Sequence, residues 1–258
     1  MTGVYWRRLA VRLNETAQPA SEADMDRQYV KPGPWAALKR LNTEDRFVIG
    51  SMLLTLAGIA LGALVANANI FGFTILAVLA VLVSGLVVTH SPRLAWLFPF
   101  GAVAGVLELW ADWVHVTALH SLVYTNFFGF KVLASPSYMP IGWGVTAVQF
   151  GYLALRLRER WPAWAAVGAL AVLGLAIPPW YEELAAPAHA WHYTTRGPAL
   201  SHTPVWVILT YAGCMFFIAT AALTWYARGA WGRAVVAGAF AGAGLMFSSV
   251  AAISLLGR

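Results

Sequence analysis

Seven apolar runs follow residue 46, and they leave little of the chain for anything else. They cover approximately residues 47–66, 70–90, 94–119, 138–156, 163–179, 203–226 and 232–255. Each is long enough to cross a hydrocarbon core of about 30 Å at 1.5 Å per residue. In lipid, a backbone must satisfy its own hydrogen bonds, which a helix does within one segment. The expected fold is an all-α integral membrane protein: a seven-transmembrane-helix bundle over residues 47–258. Composition agrees, with 60% hydrophobic residues, 11% charged residues and a mean hydropathy of +0.66. The one cysteine, Cys214, lies in an apolar run, which excludes a disulfide framework and a cysteine metal site.

Residues 1–46 read as a cytoplasmic N-terminal region. Val4–Leu13 has Tyr5, Trp6, Leu9 and Leu13 on one side of a helix and Arg7, Arg8 and Arg12 on the other, the pattern of a surface helix on an anionic leaflet. With three arginines and no long apolar core, this stretch is not expected to be a signal peptide. Asn14–Pro34 reads as a polar linker, and Trp35–Leu41 as a second contact with the interface. Thr43, followed by Glu44 and Asp45, is the expected N-cap of the first span.

The positive charges set the orientation. With the N-terminus inside, fourteen Lys and Arg residues fall on the cytoplasmic side, and only Lys131, Arg196 and Arg258 on the other. The expectation is N-in and C-out. An Ala- and Arg-rich composition points to a bacterial inner membrane. The formal charge of +6 thus sits at a membrane surface, and no nucleic-acid partner is expected.

Orientation then locates the chemistry. Seven of the eleven acidic residues are cytoplasmic; the others are Glu108, Asp112, Glu182 and Glu183. In the third span, Glu108, Asp112 and His115 fall within roughly 60° of one another at 100° per residue. From Arg93, Glu108 is about 22 Å and Asp112 about 28 Å along the helix, both past the midplane. Five of the six histidines (His115, His120, His189, His192 and His202) belong to the same outer half. Ionisable groups in a span are costly and usually face a bundle interior or a wet cavity. A cluster that only ties helices together is the competing reading.

Two outer connections cover this end. Pro179 suits the first turn of a short helix after the fifth span, in which Glu182 and His189, seven apart, share a face. Long connections of this kind often cap a site. The connection after the third span carries Tyr124, Phe127, Phe128, Phe130 and Tyr138, a rim apolar enough to admit a substrate from the membrane. Aromatic residues at both places also fit the ordinary interfacial belt.

Several chemistries are excluded. No lysine lies in any span, so there is no retinal Schiff base. H-E-x-x-H, P-loop, G-x-G-x-x-G and G-x-S-x-G motifs are absent. Six histidines with one H-x-x-H are too few for a membrane desaturase. No long internal repeat supports an inverted-repeat transporter, and the inner halves of the spans offer almost no polar path.

Carboxylate acid–base catalysis on an isoprenoid lipid remains. An acid in an apolar pocket keeps its proton and can give it to an alkene or epoxide. Aromatic faces stabilise the cation, and a second carboxylate takes a proton back or places a water. Glu108, Asp112, Glu182 and Glu183 are the candidate catalysts. Trp110, Trp113, Tyr138, Trp143, Trp180, Tyr181, Trp191 and Trp206 are the candidate walls. No cofactor is required.

With about seven spans and Glu108 in an early-middle one, residues 47–255 resemble the small integral-membrane terpene cyclases and the carotenoid cyclase and hydratase families. The resemblance is one of architecture and implies cyclisation or hydration of a terpenoid. The E-L-x-x-D stretch (Glu108, Leu109, Asp112) and the Y-E-E-L stretch (Tyr181–Leu184) are similar to those of an uncharacterised bacterial membrane-protein family, which implies no activity. An alternative is a divalent transition metal (Zn, Fe or Cu) held by the acids with His115, His189, His192 or His202. It would serve a lipid hydrolase or oxidase, for which the seven-span alkaline ceramidases offer a comparison, although the last span lacks a histidine. The third alternative is a non-catalytic subunit that binds lipid or a partner protein.

Overall fold

The computed structural model describes residues 41–257, apart from 128, 195, 196 and 228. The expected surface helix at Val4–Leu13, the linker at Asn14–Pro34 and most of the Trp35–Leu41 contact lie outside the described residues. So do Phe128, Arg196, Arg228 and Arg258.

Among the described residues the chain forms seven long helices. They are α1 (Thr43–Leu64), α2 (Asn69–Thr89), α3 (Pro92–Trp113), α4 (Met139–Arg158), α5 (Ala163–Ala185), α6 (Val205–Tyr226) and α7 (Trp231–Leu256). Six of them are long and apolar enough to cross a membrane, α3 together with the turn that follows it. The exception is α4, which is comparably long but carries Gln149, Arg156 and Arg158. This is a predominantly helical, multi-pass membrane architecture.

Small residues set the packing. A Cβ on Gly105 of α3 would lie 2.0 Å from the Pro140 carbonyl oxygen of α4. One on Gly238 of α7 would lie 2.4 Å from the Phe100 carbonyl oxygen of α3. Helix α3 is thus held at backbone distance on two sides, as small-xxx-small faces allow. The α1–α2 hairpin turns through Asn67, whose Oδ1 accepts from Asn69 N at 3.0 Å. The hairpin meets the rest of the bundle chiefly through α5 and α4.

At the end where α1 begins, the N-cap is Asn42 rather than Thr43. Asn42 Oδ1 accepts from Asp45 N at 2.7 Å, and Asp45 Oδ2 accepts from Asn42 N at 3.0 Å. This reciprocal box satisfies two orphan N–H groups where Thr43 would satisfy one. Asp45, expected beside the N-cap at the start of the first span, is buried. Arg156 of α4 grips it with Nε to Oδ1 and Nη2 to Oδ2, both 2.8 Å, and Tyr152 donates to Oδ1 at 2.7 Å. Arg93 to Glu159, at 2.8 Å, joins α3 to the same end of α4.

The opposite end is closed by short strands. They are β1 (Leu122–Tyr124), β2 (Lys131–Val132), β3 (Ser135–Pro136), β4 (Trp191–Tyr193), β5 (Ala199–Leu200) and β6 (Thr203–Pro204). β2–β3 and β5–β6 are local hairpins, but β1 pairs antiparallel with β4, with Leu122 opposite Tyr193 and Tyr124 opposite Trp191. That ribbon stitches the α3–α4 connection to the α5–α6 connection. It replaces the short helix expected after Pro179. Helix α5 instead continues through residues 178–179 to Ala185, and His189 follows in a turn at φ 56°. Packing outweighs the local proline signal here: a Cβ on Gly174 would lie 2.7 Å from Tyr211 O, so α5 lies directly on the α6 backbone. Glu182 and His189 therefore share no helical face.

Candidate active site

The last turn of α3 is built differently from the rest. Val114–Ala118 forms a π-helical turn, a local widening often found at functional sites. It ends the face begun by Glu108 and Asp112 and carries His115. All three are buried, with Glu108 only 1% exposed. They face a cavity of about 370 Å³ bounded by α3, α4, α5, α6 and the α1–α2 hairpin, with a predominantly apolar wall.

Asp112 is the best-satisfied acid. Tyr124 OH and Ser135 Oγ both donate to its Oδ2 at 2.6 Å. Burial, then Asp112, push the Tyr124 phenol well above its ordinary pKa, so it stays a donor. Tyr138 is pushed up to about 12 for the same two reasons. The Glu108 carboxyl is within hydrogen-bonding range of Asp112, while its Oε2 has no partner among the described residues. His115 stacks on Trp206, with ring centroids 4.9 Å apart and planes 11° apart.

Glu182 forms the facing wall. Its Oε2 accepts from Trp191 Nε1 at 2.6 Å, and its Oε1 from Tyr211 OH at 3.3 Å. Tyr181 stacks on Trp191 at 5.6 Å. A smaller recess of about 270 Å³, which also involves Ser201, His192 and His202, shares Glu182, Trp191 and Tyr193 with the cavity. Glu182 thus stands between the apolar chamber and a polar recess toward the strand-capped surface.

The strand period explains which cap residues reach the site. In the β1–β4 ribbon, Tyr124 and Trp191 turn inward, while Val123 and His192 turn out. Tyr124 and Ser135 are the partners that sequence reasoning missed as site residues. Alternation of burial in a three-residue strand is too short to read, and the Asp112 contacts depend on long-range pairing.

Of the candidate walls, Trp143, Tyr181, Trp191 and Trp206 line the cavity. Trp110, Trp113 and Trp180 do not: they sit on the outside of the bundle, Trp180 at 73% exposed. Tyr138 is buried beside the site without lining it. Glu183 is separated from Glu182. It accepts from His202 N at 2.7 Å and Ser201 Oγ at 2.9 Å, and lies 2.7 Å from His202 Nδ1, holding the β5–β6 hairpin. Of the four candidate metal ligands, His115 alone lines the cavity. His189 and His192 are exposed and His202 is engaged by Glu183. Among the described residues, no three His, Cys, Asp or Glu side chains converge to hold an ion.

Fold and site together define a multi-pass helical membrane protein with a buried acidic chamber. The chain belongs to a family described as a domain of unknown function (DUF6989), whose model matches residues 109–256. That region begins just after Glu108 and takes in Asp112, His115, Glu182, Trp191 and Trp206. No curated protein and no solved structure matches the chain.

Proposed function

We propose that the protein is a membrane enzyme that cyclises or hydrates a lipophilic, isoprenoid-like substrate by carboxylate acid–base catalysis. The observation that carries this reading is the Glu108–Asp112 pair, buried against an apolar cavity walled by aromatic rings. Two hydroxyl donors already occupy one Asp112 oxygen, while Glu108 Oε2 has no partner among the described residues, so Glu108 is the proton donor in this reading. Glu108 gives its proton to an alkene or epoxide carbon or oxygen. The cation that develops lies against Tyr181, Trp191 and Trp206. Asp112 or Glu182 then accepts a proton, either from carbon to close a ring or from an added water.

The substrate enters from the membrane. Leu56 of α1 and Leu173 of α5 both line the cavity and are both exposed, Leu56 at 55%. They stand near the middle of their helices, where a lateral opening would meet acyl chains. The remaining topology is seven spans including α4, the N-terminus in the cytoplasm and the C-terminus outside, in a bacterial inner membrane. Its basis is the excess of Lys and Arg at the Asp45–Arg156 end.

Polyprenyl and carotenoid substrates, offered to purified protein in lipid nanodiscs, test the activity. Glu108→Gln should abolish turnover while the melting temperature stays within a few degrees. Full activity in that variant would overturn the mechanism. Since the mechanism calls for no cofactor, chelation should leave turnover unchanged. Turnover lost with chelator and restored by zinc would put the metal-dependent alternative in its place.

A further inference from the structure

His115 has one ring nitrogen fixed by the protein and one left open. Ser121 Oγ lies 2.7 Å from Nδ1 and also donates to the His115 carbonyl oxygen at 3.3 Å. The Ser121 backbone N–H reaches the same carbonyl at 2.8 Å. Two tautomers are open to the ring. In the first, Nδ1–H donates to Ser121 Oγ and the hydroxyl proton goes to the carbonyl, which leaves Nε2 as a bare acceptor. In the second, Ser121 donates to Nδ1 and a buried Nε2–H has nowhere to go. Orphaned buried N–H groups are the rarer and costlier outcome, so the first arrangement holds.

Nε2 is buried and without a partner among the described residues. The residue is 4% exposed and lines the cavity, with its ring face pinned to Trp206. Glu108 Oε2, from the same helix and the same cavity, is the second buried atom left open. The wall of the cavity as a whole is predominantly apolar. An unmet acceptor in an apolar chamber selects for a ligand with one O–H donor on a hydrophobic body.

We propose that His115 Nε2 accepts a hydrogen bond from a hydroxyl of the bound lipid, so that the ligand class is a lipid alcohol rather than a hydrocarbon. This rests on the cavity being a lipophilic substrate site, but not on the chemistry proposed for Glu108. His115 here is a binding residue that reads the hydroxyl. The stacking on Trp206 and the Ser121 bond fix the direction from which it reads.

The test is binding, without turnover, in full-length protein in nanodiscs. The probes are geranylgeraniol and its methyl ether, which differ in the donor alone. Quenching of tryptophan fluorescence reports occupancy. Wild type should bind the alcohol on the order of tenfold more tightly than the ether, the usual scale for leaving a buried acceptor unmet. His115→Phe, which keeps a flat ring against Trp206, should bind the two alike. Ser121→Ala, which frees the ring to change tautomer, should narrow the ratio.

Equal binding of alcohol and ether by wild type, or binding of neither, overturns the proposal without reference to any variant's fold. Discrimination that survives in His115→Phe overturns it too. Discrimination in wild type with no turnover of any substrate would leave the hydroxyl site standing and remove the catalytic reading. The two readings can therefore fail separately.

Discussion

Glu182 and Glu183 are consecutive residues whose carboxylates serve different parts of the molecule. Glu182 accepts from the Trp191 indole inside the cavity, and Glu183 accepts from the His202 backbone outside it. A helix turns about 100° between neighbours, enough at the end of α5 to separate a cavity wall from a surface latch. Substitution should split the pair. Glu182→Gln should lower turnover about a hundredfold, since it removes a carboxylate placed against the cation. Its fold should survive, because the Tyr211 hydroxyl can turn to accept from the new amide. Glu183→Gln should leave turnover within about threefold and cost about 1 kcal/mol or less, the usual scale for a part-exposed pair. Kinetics and melting temperature on the two variants check both halves. Equal loss of activity in the two would contradict this division of roles.

Asp112 offers a second comparison. Tyr124 and Ser135 donate to the same oxygen. Asparagine can present one oxygen to both donors, whereas alanine leaves two buried hydroxyls without an acceptor. Each such loss costs about 1–3 kcal/mol. Asp112→Ala should therefore melt well below Asp112→Asn, while both lose the carboxyl group and with it most of the turnover. Tyr124→Phe separates support from chemistry. It keeps the carboxyl group and removes one donor, and should lower turnover by roughly tenfold with a stability loss of about 1 kcal/mol. Thermal melts in one detergent, run beside turnover, distinguish the three.

The outline of the bundle was legible from sequence because apolar runs and their breaks are local signals. Asn67, between the first two helices, marks a boundary that one can read without a partner. The face holding Glu108, Asp112 and His115 follows from helical spacing alone, although the π-helical turn at Val114–Ala118 left no such mark. What could not be read depends on distant pairing. Asp45 is only an acid at a helix start until Arg156 and Tyr152, over a hundred residues away, close on it. The outer histidines form one group on paper. The alternation of the β1–β4 ribbon and the turn at His189 scatter them, and that ribbon exists only because two connections meet.

The contact between α3 and α4 makes a stability prediction that does not depend on function. A Cβ at Gly105 would stand 2.0 Å from the Pro140 carbonyl oxygen and 2.7 Å from Gly144 N. Both obstacles are backbone and cannot step aside by a rotamer change. Gly105→Val should force the helices apart and destabilise the protein by about 3 kcal/mol or more. The reference is Gly168, where a Cβ would meet nothing within 4 Å. Gly168→Val should be close to neutral. Folded yield and melting temperature of the two variants, expressed side by side, give the answer. A tolerated Gly105→Val would mean that α3 and α4 do not meet at backbone distance.

The exposed cavity residues Leu56 of α1 and Leu173 of α5 lead to a prediction about entry rather than chemistry. Both are exposed, which leaves room for a larger side chain. Leu56→Trp and Leu173→Trp should therefore fold normally and narrow a lateral opening. If the substrate arrives from the acyl chains, kcat/KM should fall by about tenfold for a long prenyl chain and less for a short one. The kcat at saturation should hold, because the bound geometry is untouched. If the substrate arrives instead through the polar recess beside Glu182, these variants should do nothing. Bulk at Ser201, on the recess wall, should then produce the same length-dependent loss. Measuring kcat/KM across a chain-length series for Leu56→Trp, Leu173→Trp and Ser201→Trp decides between the two routes. The direction of entry matters for the chemistry. A chain entering from the side leads with its end past Leu56, so the group that stops beside Glu108 is the one that went in first.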